Sequence, residues 1–205
     1  MTARLVVLAS GSGTNCQALI DACVQGRLDA EVVAVVTNNP TAGVIDRGRA
    51  AGAAVEVVDH RGRDPEARRA ADTRLIETVL AHDPDLVVLA GWLRILGAEV
   101  GAAFPIVNLH PAKPGEFPGL HAIERAYAAW EAGEVAETGV MVHWVPDAGV
   151  DEGPVINTLS IGFRDGESLA DFEQRVHDLE HLLIVDGVRA ALTERGLGSD
   201  GIPRS

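Results

Sequence analysis

A chain of 205 residues is long enough for one domain with a sizeable buried core and too long for a small stapled fold. Its net charge of −13, with Lys113 the single lysine among seventeen basic residues, repels phosphate backbones and anionic lipid, so nucleic acid and membrane are set aside as partners. No apolar run approaches the roughly 20 residues that span a bilayer, and the chain opens into a strand instead of a signal peptide, so a soluble cytoplasmic protein is expected.

In chain order, apolar strands alternate with helices. Residues 4–9 (RLVVLA) read as a strand ending in Ser10-Gly11-Ser12-Gly13-Thr14-Asn15, after which Cys16, Leu19, Ile20, Cys23 and Val24 recur at helical spacing. Cys16 and Cys23 share a face of that helix and read as small core residues. Gly26 stops the helix, residues 31–37 (EVVAVVT) form a second strand, and Asn38-Asn39-Pro40 turns the chain. A short helix over 44–51 precedes a third strand over 54–58. Asp64 and Pro65 supply a cap and first position for a helix reaching about His82, with Leu75, Ile76, Val79 and Leu80 inward. Residues 85–90 (DLVVLA) make a fourth strand and 106–109 a fifth.

The second half changes character. After a helix from about His121 to Ala132, residues 138–145 (TGVMVHWV) alternate like a hairpin strand that residues 154–160 can pair with antiparallel. Ser168 then caps a long closing helix in which Leu169, Phe172, Val176, Leu179 and Leu183 follow a 3-4-3-4 spacing. The pattern predicts a doubly wound α/β fold, a mainly parallel sheet with helices on both faces and an antiparallel C-terminal extension. One domain is expected over residues 1–195, with 196–205 a flexible tail.

In such folds ligands bind outside the carboxyl ends of the strands. That rim receives Gly11 to Asn15 from the first strand, Leu93-Arg94-Ile95-Leu96 from the fourth, and Asn108 and His110 from the fifth. Arg68, in the first turn of the helix after the third strand, lies on the same rim. Asn108 and His110, two apart on an extended backbone, point the same way. Alone, they read either as a capped strand end or as a donor and a titratable group converging on one spot. The glycine loop lacks the third glycine of the dinucleotide fingerprint, and no Gly-Lys-Ser/Thr follows. What remains is a turn into a helix amino terminus, either a tight connection or a seat for one phosphate monoester. His143 reads either as a buried hydrogen-bonded histidine or as a supporting partner of the site. His177-Asp178-Leu179-Glu180-His181 has the spacing of an inverted zinc-protease motif. Leu179 belongs to the core stripe, so Glu180 reads instead as a hydroxyl acceptor beside the glycine loop, and no metal is expected.

Taken together, Ala9 to Asn15, Gly91-Trp92-Leu93-Arg94-Ile95-Leu96, Asn108-Leu109-His110-Pro111, Phe117-Pro118-Gly119 and Val150-Asp151-Glu152-Gly153-Pro154 resemble the successive blocks of the glycinamide ribonucleotide formyltransferases, over about Arg4 to Ala190. The resemblance implies formyl transfer from 10-formyltetrahydrofolate, as co-substrate, to the primary amine of glycinamide ribonucleotide in purine synthesis. It implies that Asn108, His110 and Asp151 are catalytic, that Gly13, Thr14 and Asn15 hold the phosphate, and that Glu180 contacts the ribose. Arg68, Leu93, Arg94, Ile95, Leu96 and the loop from Pro146 to Asp151 would meet the folate, with Asn108 beside its formyl group. A monomer or homodimer is expected.

The chemistry suits these residues. Attack of an amine on a formyl carbon passes through a tetrahedral oxyanion, for which the Asn108 amide is a donor. His110 can serve as the acid, with Asp151 raising its imidazolium fraction or ordering a water. Leu93, Ile95 and Leu96 offer an apolar slot for a pterin ring, and Arg68 and Arg94 can pair with glutamyl carboxylates. The chain departs from the family pattern after His110-Pro111, where Ala112-Lys113-Pro114-Gly115 stands in place of Ser-Leu-Leu-Pro. The loop over residues 147–151 is one residue longer, which sets Asp147 against Asp151; the Gly153-Pro154 that follows favours Asp151. Two other readings are a formyltransferase acting on initiator tRNA or a formyl-folate hydrolase, each expected to carry a further module, and a nucleotide-binding module without catalysis.

Overall fold

The structure, a computed structural model, describes residues 2–59, 64–146 and 151–197. The elements in order are β1 (Ala3–Leu8), α1 (Thr14–Val24), β2 (Ala30–Thr37), α2 (Val44–Ala50), β3 (Ala54–Val57), α3 (Pro65–Leu80) and β4 (Leu86–Leu89). There follow α4 (Ala98–Ala103), β5 (Ile106–His110), α5 (Ala122–Glu131), β6 (Glu137–Trp144), β7 (Val155–Gly162) and α6 (Leu169–Glu194). The seven strands form one sheet in the order β3-β2-β1-β4-β5-β6-β7. Neighbours from β3 to β5 are parallel, and β5-β6 and β6-β7 are antiparallel, as the alternating second half predicts.

Strand alternation divides the core in two. Leu5, Val7, Val35, Val88, Val107, Val140 and Val142 pack under helices α1, α2, α5 and α6. Val6, Leu8, Ala34, Val36, Val87, Leu89 and Ile106 pack under α3 and α4, through Leu75, Val79, Val100 and Phe104. Strands β1, β2, β4 and β5 are apolar on both sides for this reason, which is why they read as continuous runs and not as alternating ones. The caps fall where the sequence puts them: Asp64 accepts from the Ala67 amide and Ser168 from that of Asp171.

Three details differ from the sequence reading. Helix α4 is absent from it, because a six-residue turn with only Val100 buried has no period to detect. Val24 and Leu80, expected inward, are 83% and 57% exposed. Each is the last residue of its helix, where the chain is already leaving for the next strand. Among the described residues no helix is long and apolar enough to cross a membrane.

Helix α6 lies directly against β6. A Cβ on Gly187 would come within 2.7 Å of the Val142 side chain, so this crossing depends on the missing side chain. Gly187→Val should therefore destabilise the fold by about 2 kcal/mol or more through overpacking. Chemical denaturation is the check, and an unchanged midpoint would contradict the close approach.

Candidate active site

Asn108 and His110 lie on one face of β5, and the antiparallel ladder pairs Asn108 with His143 and His110 with Met141. The β6–β7 connection brings Asp151 to this group. Asp151 takes the left-handed conformation, φ 58°, which aspartate tolerates better than most residues. Two residues on, a Cβ at Gly153 would overlap the Trp144 carbonyl oxygen at 1.7 Å, while the Trp144 amide donates to Pro154 at 2.9 Å. The loop can thus close onto β6 only through a glycine, which delivers Asp151 to the site. The competing Asp147 lies outside the described residues, as does the rest of 147–150.

The Asp151 carboxylate is the centre of the hydrogen bonding. Its Oδ1 accepts from Asn108 Nδ2 at 2.9 Å and lies 3.5 Å from His143 Nε2. Its Oδ2 accepts from the Gly119 amide at 2.8 Å and lies 3.2 Å from His110 Nδ1. Asn108 Nδ2 also stands 3.1 Å from His143 Nε2, and His143 Nδ1 is 2.9 Å from the Trp144 carbonyl. One assignment satisfies these contacts: His143 donates from Nδ1 to Trp144 and accepts at Nε2 from Asn108, whose other amide hydrogen goes to Asp151.

Both ring nitrogens of His110 face acceptors, Nδ1 towards Asp151 and Nε2 towards the Phe117 carbonyl at 3.2 Å. A neutral imidazole can satisfy only one of these, an imidazolium both. Burial nevertheless pushes the His110 pKa down, and its effect exceeds the upward pull of Asp151 and of the Phe117 carbonyl. Asp151 thus acts in the direction the sequence suggests, yet His110 titrates below the ordinary histidine value. For Asp151, burial pushes the carboxyl up, but the nearby His143, the Gly119 amide and His110 together hold it below the usual range.

The segment after His110 completes the cage. Lys113 to Glu116 form a type II turn, with Pro114 second, Gly115 third at φ 80° and the Glu116 amide closing on the Lys113 carbonyl at 3.0 Å. Lys113 pairs with Glu137, and Thr138 donates to Glu116 at 3.3 Å, so the departure from the family pattern is a turn fastened to β6. Arg125 of α5 donates to the Phe117 and Pro118 carbonyls, which fixes the curl that aims Phe117 at His110 and Gly119 at Asp151.

The glycine loop lies at the carboxyl end of β1, beside β4, where the sheet order reverses. Gly13 caps α1 at φ 74° with no side-chain cap, and a Cβ there would meet Val44 at 2.6 Å. The first amides of α1 are thereby left to an external acceptor. Asn15 is buried at the start of the helix and donates to Glu180 Oε2 at 3.3 Å, joining α1 to α6. Thr14 is half-buried between them. In the His177–His181 motif, His177 Nδ1 lies 2.8 Å from Glu180. Among the described residues no His, Cys, Asp and Glu side chains group to hold a metal ion.

The loops after β1 and β4 are tied together. The Ser10 amide donates to Gly91 at 3.0 Å, and the Leu93 amide donates to Ser10 Oγ at 3.0 Å. Beside them a cavity of about 260 Å³ is lined by Ser10, Asn38, Asn39, Pro40, Leu93 and Arg94. The three apolar residues of that loop do not share one slot: Leu93 lines the cavity, Ile95 is 78% exposed, and Leu96 packs against the core under α3. Arg68 is exposed in the first turn of α3, following the edge strand β3.

Sequence left His143 open between a buried histidine and a supporting partner of the site, and it did not single out Arg47. His143 stands within the cluster, and the only signal for it was its inward phase on β6, which shows the face but not the partner. Arg47 of α2 donates to the Ser12 carbonyl at 2.8 Å and sets a guanidinium beside the glycine loop. Arg49, two residues on in the same helix, offered an equal candidate.

The electrostatics give a direct test. Asp151→Asn removes the charge that raises His110, so the His110 titration followed by NMR should move to still lower pH. An upward move would contradict the balance above. Because the folded value is depressed, the neutral His110 stabilises the fold above the ordinary histidine pKa, and that contribution is lost as pH falls through the folded value.

Residues 3–188 match the formyl transferase family. A phosphoribosylglycinamide formyltransferase of Schizosaccharomyces pombe is 39% identical over 206 residues, covering 95% of this chain and 99% of its own. The crystal structure of glycinamide ribonucleotide transformylase 1 from Symbiobacterium toebii superposes with a TM-score of 0.82 at 36% identity, covering 95% of this chain and 89% of that one. That of phosphoribosylglycinamide formyltransferase from Bacillus halodurans gives 0.84 at 32%, covering 94% and 96%. With a sheet of the same fold and similarity along nearly its whole length, the chain belongs to the formyl transferase family, among the phosphoribosylglycinamide formyltransferases.

Proposed function

We propose that this protein transfers the formyl group of 10-formyltetrahydrofolate to the primary amine of glycinamide ribonucleotide. The observation that carries the reading is the closed cluster of Asn108, His110 and Asp151 at the end of β5, on the same rim as an uncapped helix start that suits one phosphate. A nucleotide-binding module would need the second feature and leave the first without a purpose.

The attacking amine forms a bond to the formyl carbon, and the carbonyl oxygen becomes an oxyanion. Both hydrogens of the Asn108 amide are engaged, so stabilising that oxyanion exchanges one of them. The bond to neutral His143 is the longer and weaker, and the charge-assisted bond to Asp151 keeps the amide oriented meanwhile. His110, held neutral by burial, takes the proton that the new ammonium sheds. Its cation then has acceptors on both nitrogens, Asp151 and Phe117, and delivers the proton to the folate nitrogen as the old C–N bond breaks. His110 thus acts first as base and then as acid.

At the substrate end, the amides of Gly13, Thr14 and Asn15 hold the phosphate and Glu180 accepts from the ribose hydroxyls. Leu93 and Arg94, at the cavity, take part of the folate. Arg68 and Arg94 pair with its carboxylates, while Ile95 and Leu96 shape the loop.

Purified protein should consume 10-formyltetrahydrofolate only when glycinamide ribonucleotide is present; consumption without it would identify a hydrolase. His110→Ala should lower kcat about 10²-fold or more while ribonucleotide binding is nearly unchanged. Near-native turnover would remove the proton-transfer role. Gly13→Val, strained at φ 74° and overlapping Val44, should mainly raise KM for the ribonucleotide. A change confined to the folate KM would contradict the phosphate assignment.

A further inference from the structure

Glu180 is only 6% exposed, and both hydrogen bonds it makes among the described residues fall on one oxygen. Asn15 Nδ2 donates to Oε2 at 3.3 Å, and His177 Nδ1 donates to the same atom at 2.8 Å. Oε1 is left to accept from something else. A glutamate carboxylate turns easily about its last torsion, which has broad wells. The Asn15 bond is long and comes from a neutral donor, whereas the His177 bond is short and comes from a ring that can carry charge, so His177 supplies the firmer restraint. His177 sits on the preceding turn of α6, with its own side chain about half exposed. The contact joins a half-exposed ring to a buried carboxylate, so it fixes the orientation of Glu180 from the solvent side.

We propose that His177 is a positioning residue for ribonucleotide binding: by holding Oε2 of Glu180 it presents Oε1 to the ribose hydroxyls, and so governs affinity for that substrate and not the chemical step. The proposal rests on the reading of Glu180 as the ribose contact.

The charge on His177 supports it. The hydrogen bond to Glu180 raises the His177 pKa above its ordinary value, burial works against it, and the charges of Glu180, Glu173 and Asp178 add to the rise. These groups all belong to α6. From α1, the neutral Asn15 amide meets the same carboxylate. Elements α5, β5, β6 and β7 also pack on α6, and among the described residues they bring no hydrogen bond or ion pair to His177. As pH rises through the raised value, His177 keeps its Nδ1–H but loses the charge, and the restraint on Glu180 weakens.

Steady-state kinetics with both substrates test this. His177→Ala should raise KM for glycinamide ribonucleotide about 5- to 10-fold, with kcat and the folate KM within about twofold. His177→Gln, which still donates but does not titrate, should recover most of the affinity. The ratio of native KM to that of the Gln variant should climb as pH passes above the raised histidine value. In a Glu180→Ala background, His177→Ala should add nothing further. An unchanged KM in His177→Ala, with a raised one in Glu180→Ala, overturns the positioning role and leaves the ribose reading standing. No effect of Glu180→Ala on KM overturns both. A His177→Ala penalty undiminished in the Glu180→Ala background also overturns the role, because His177 would then act on the ligand directly. Thermal melting of each variant establishes that it is folded.

Discussion

The Asp151 carboxylate is the interaction on which the rest of the site depends. A charge carried largely out of solvent costs several kcal/mol unless its lone pairs are engaged. Here they are engaged by groups from separate segments, the Asn108 amide and His110 from β5 and the Gly119 amide from the curl after β5, with His143 of β6 standing alongside at 3.5 Å. Each donor is fixed by the carboxylate and fixes it in turn. The orientation of the Asn108 amide and the approach of His110 both follow from where Asp151 sits. That position follows from the glycine contact at Gly153, which lets the hairpin loop lie against Trp144.

Burial also sets the protonation state that the chemistry uses. A neutral His110 facing two acceptors is a ring that gains more hydrogen bonding once it is protonated than it has before. In the proposed mechanism the site is organised for the charge that appears during reaction, which is where preorganised electrostatics contribute most to rate. The substrate end is built differently. It offers the backbone amides of an uncapped helix, supported by Val44 and Arg47 of α2 on one side and by Glu180 of α6 on the other. The two bonds through Ser10 tie the glycine loop to the one after β4, beside the cavity at Leu93.

Much of the arrangement was legible because strand and helix periods are short-range properties. Asn108 and His110 could be placed together because side chains two apart on a strand share a face, and Gly13 because a glycine before a helix marks a tight turn. Sequence favoured Asp151 over Asp147 because a glycine and a proline follow it, and the overlap at Gly153 shows what that glycine does for the placement of Asp151. Other features were not legible. His143 enters the cluster through the β5–β6 register, a pairing between residues 35 apart that no local pattern encodes. Leu93, Ile95 and Leu96 looked alike in sequence, yet they face a cavity, solvent and core because the loop is irregular and has no period. Helix α4 was too short to register.

The sequence by itself determined the alternation of strands and helices, the doubly wound class and the residues delivered to the carboxyl rim, since each of these follows from hydrophobic period and turn chemistry within a few neighbouring residues. Tertiary structure alone decided that Asp151 would meet Asn108, His110 and Gly119 at once, beside His143, and that His110 would titrate low despite its carboxylate neighbour. The reason is that hydrogen-bond partnership and desolvation depend on distances across the sheet, and those distances exist only once the hairpin, the curl after His110 and the two cores have packed together.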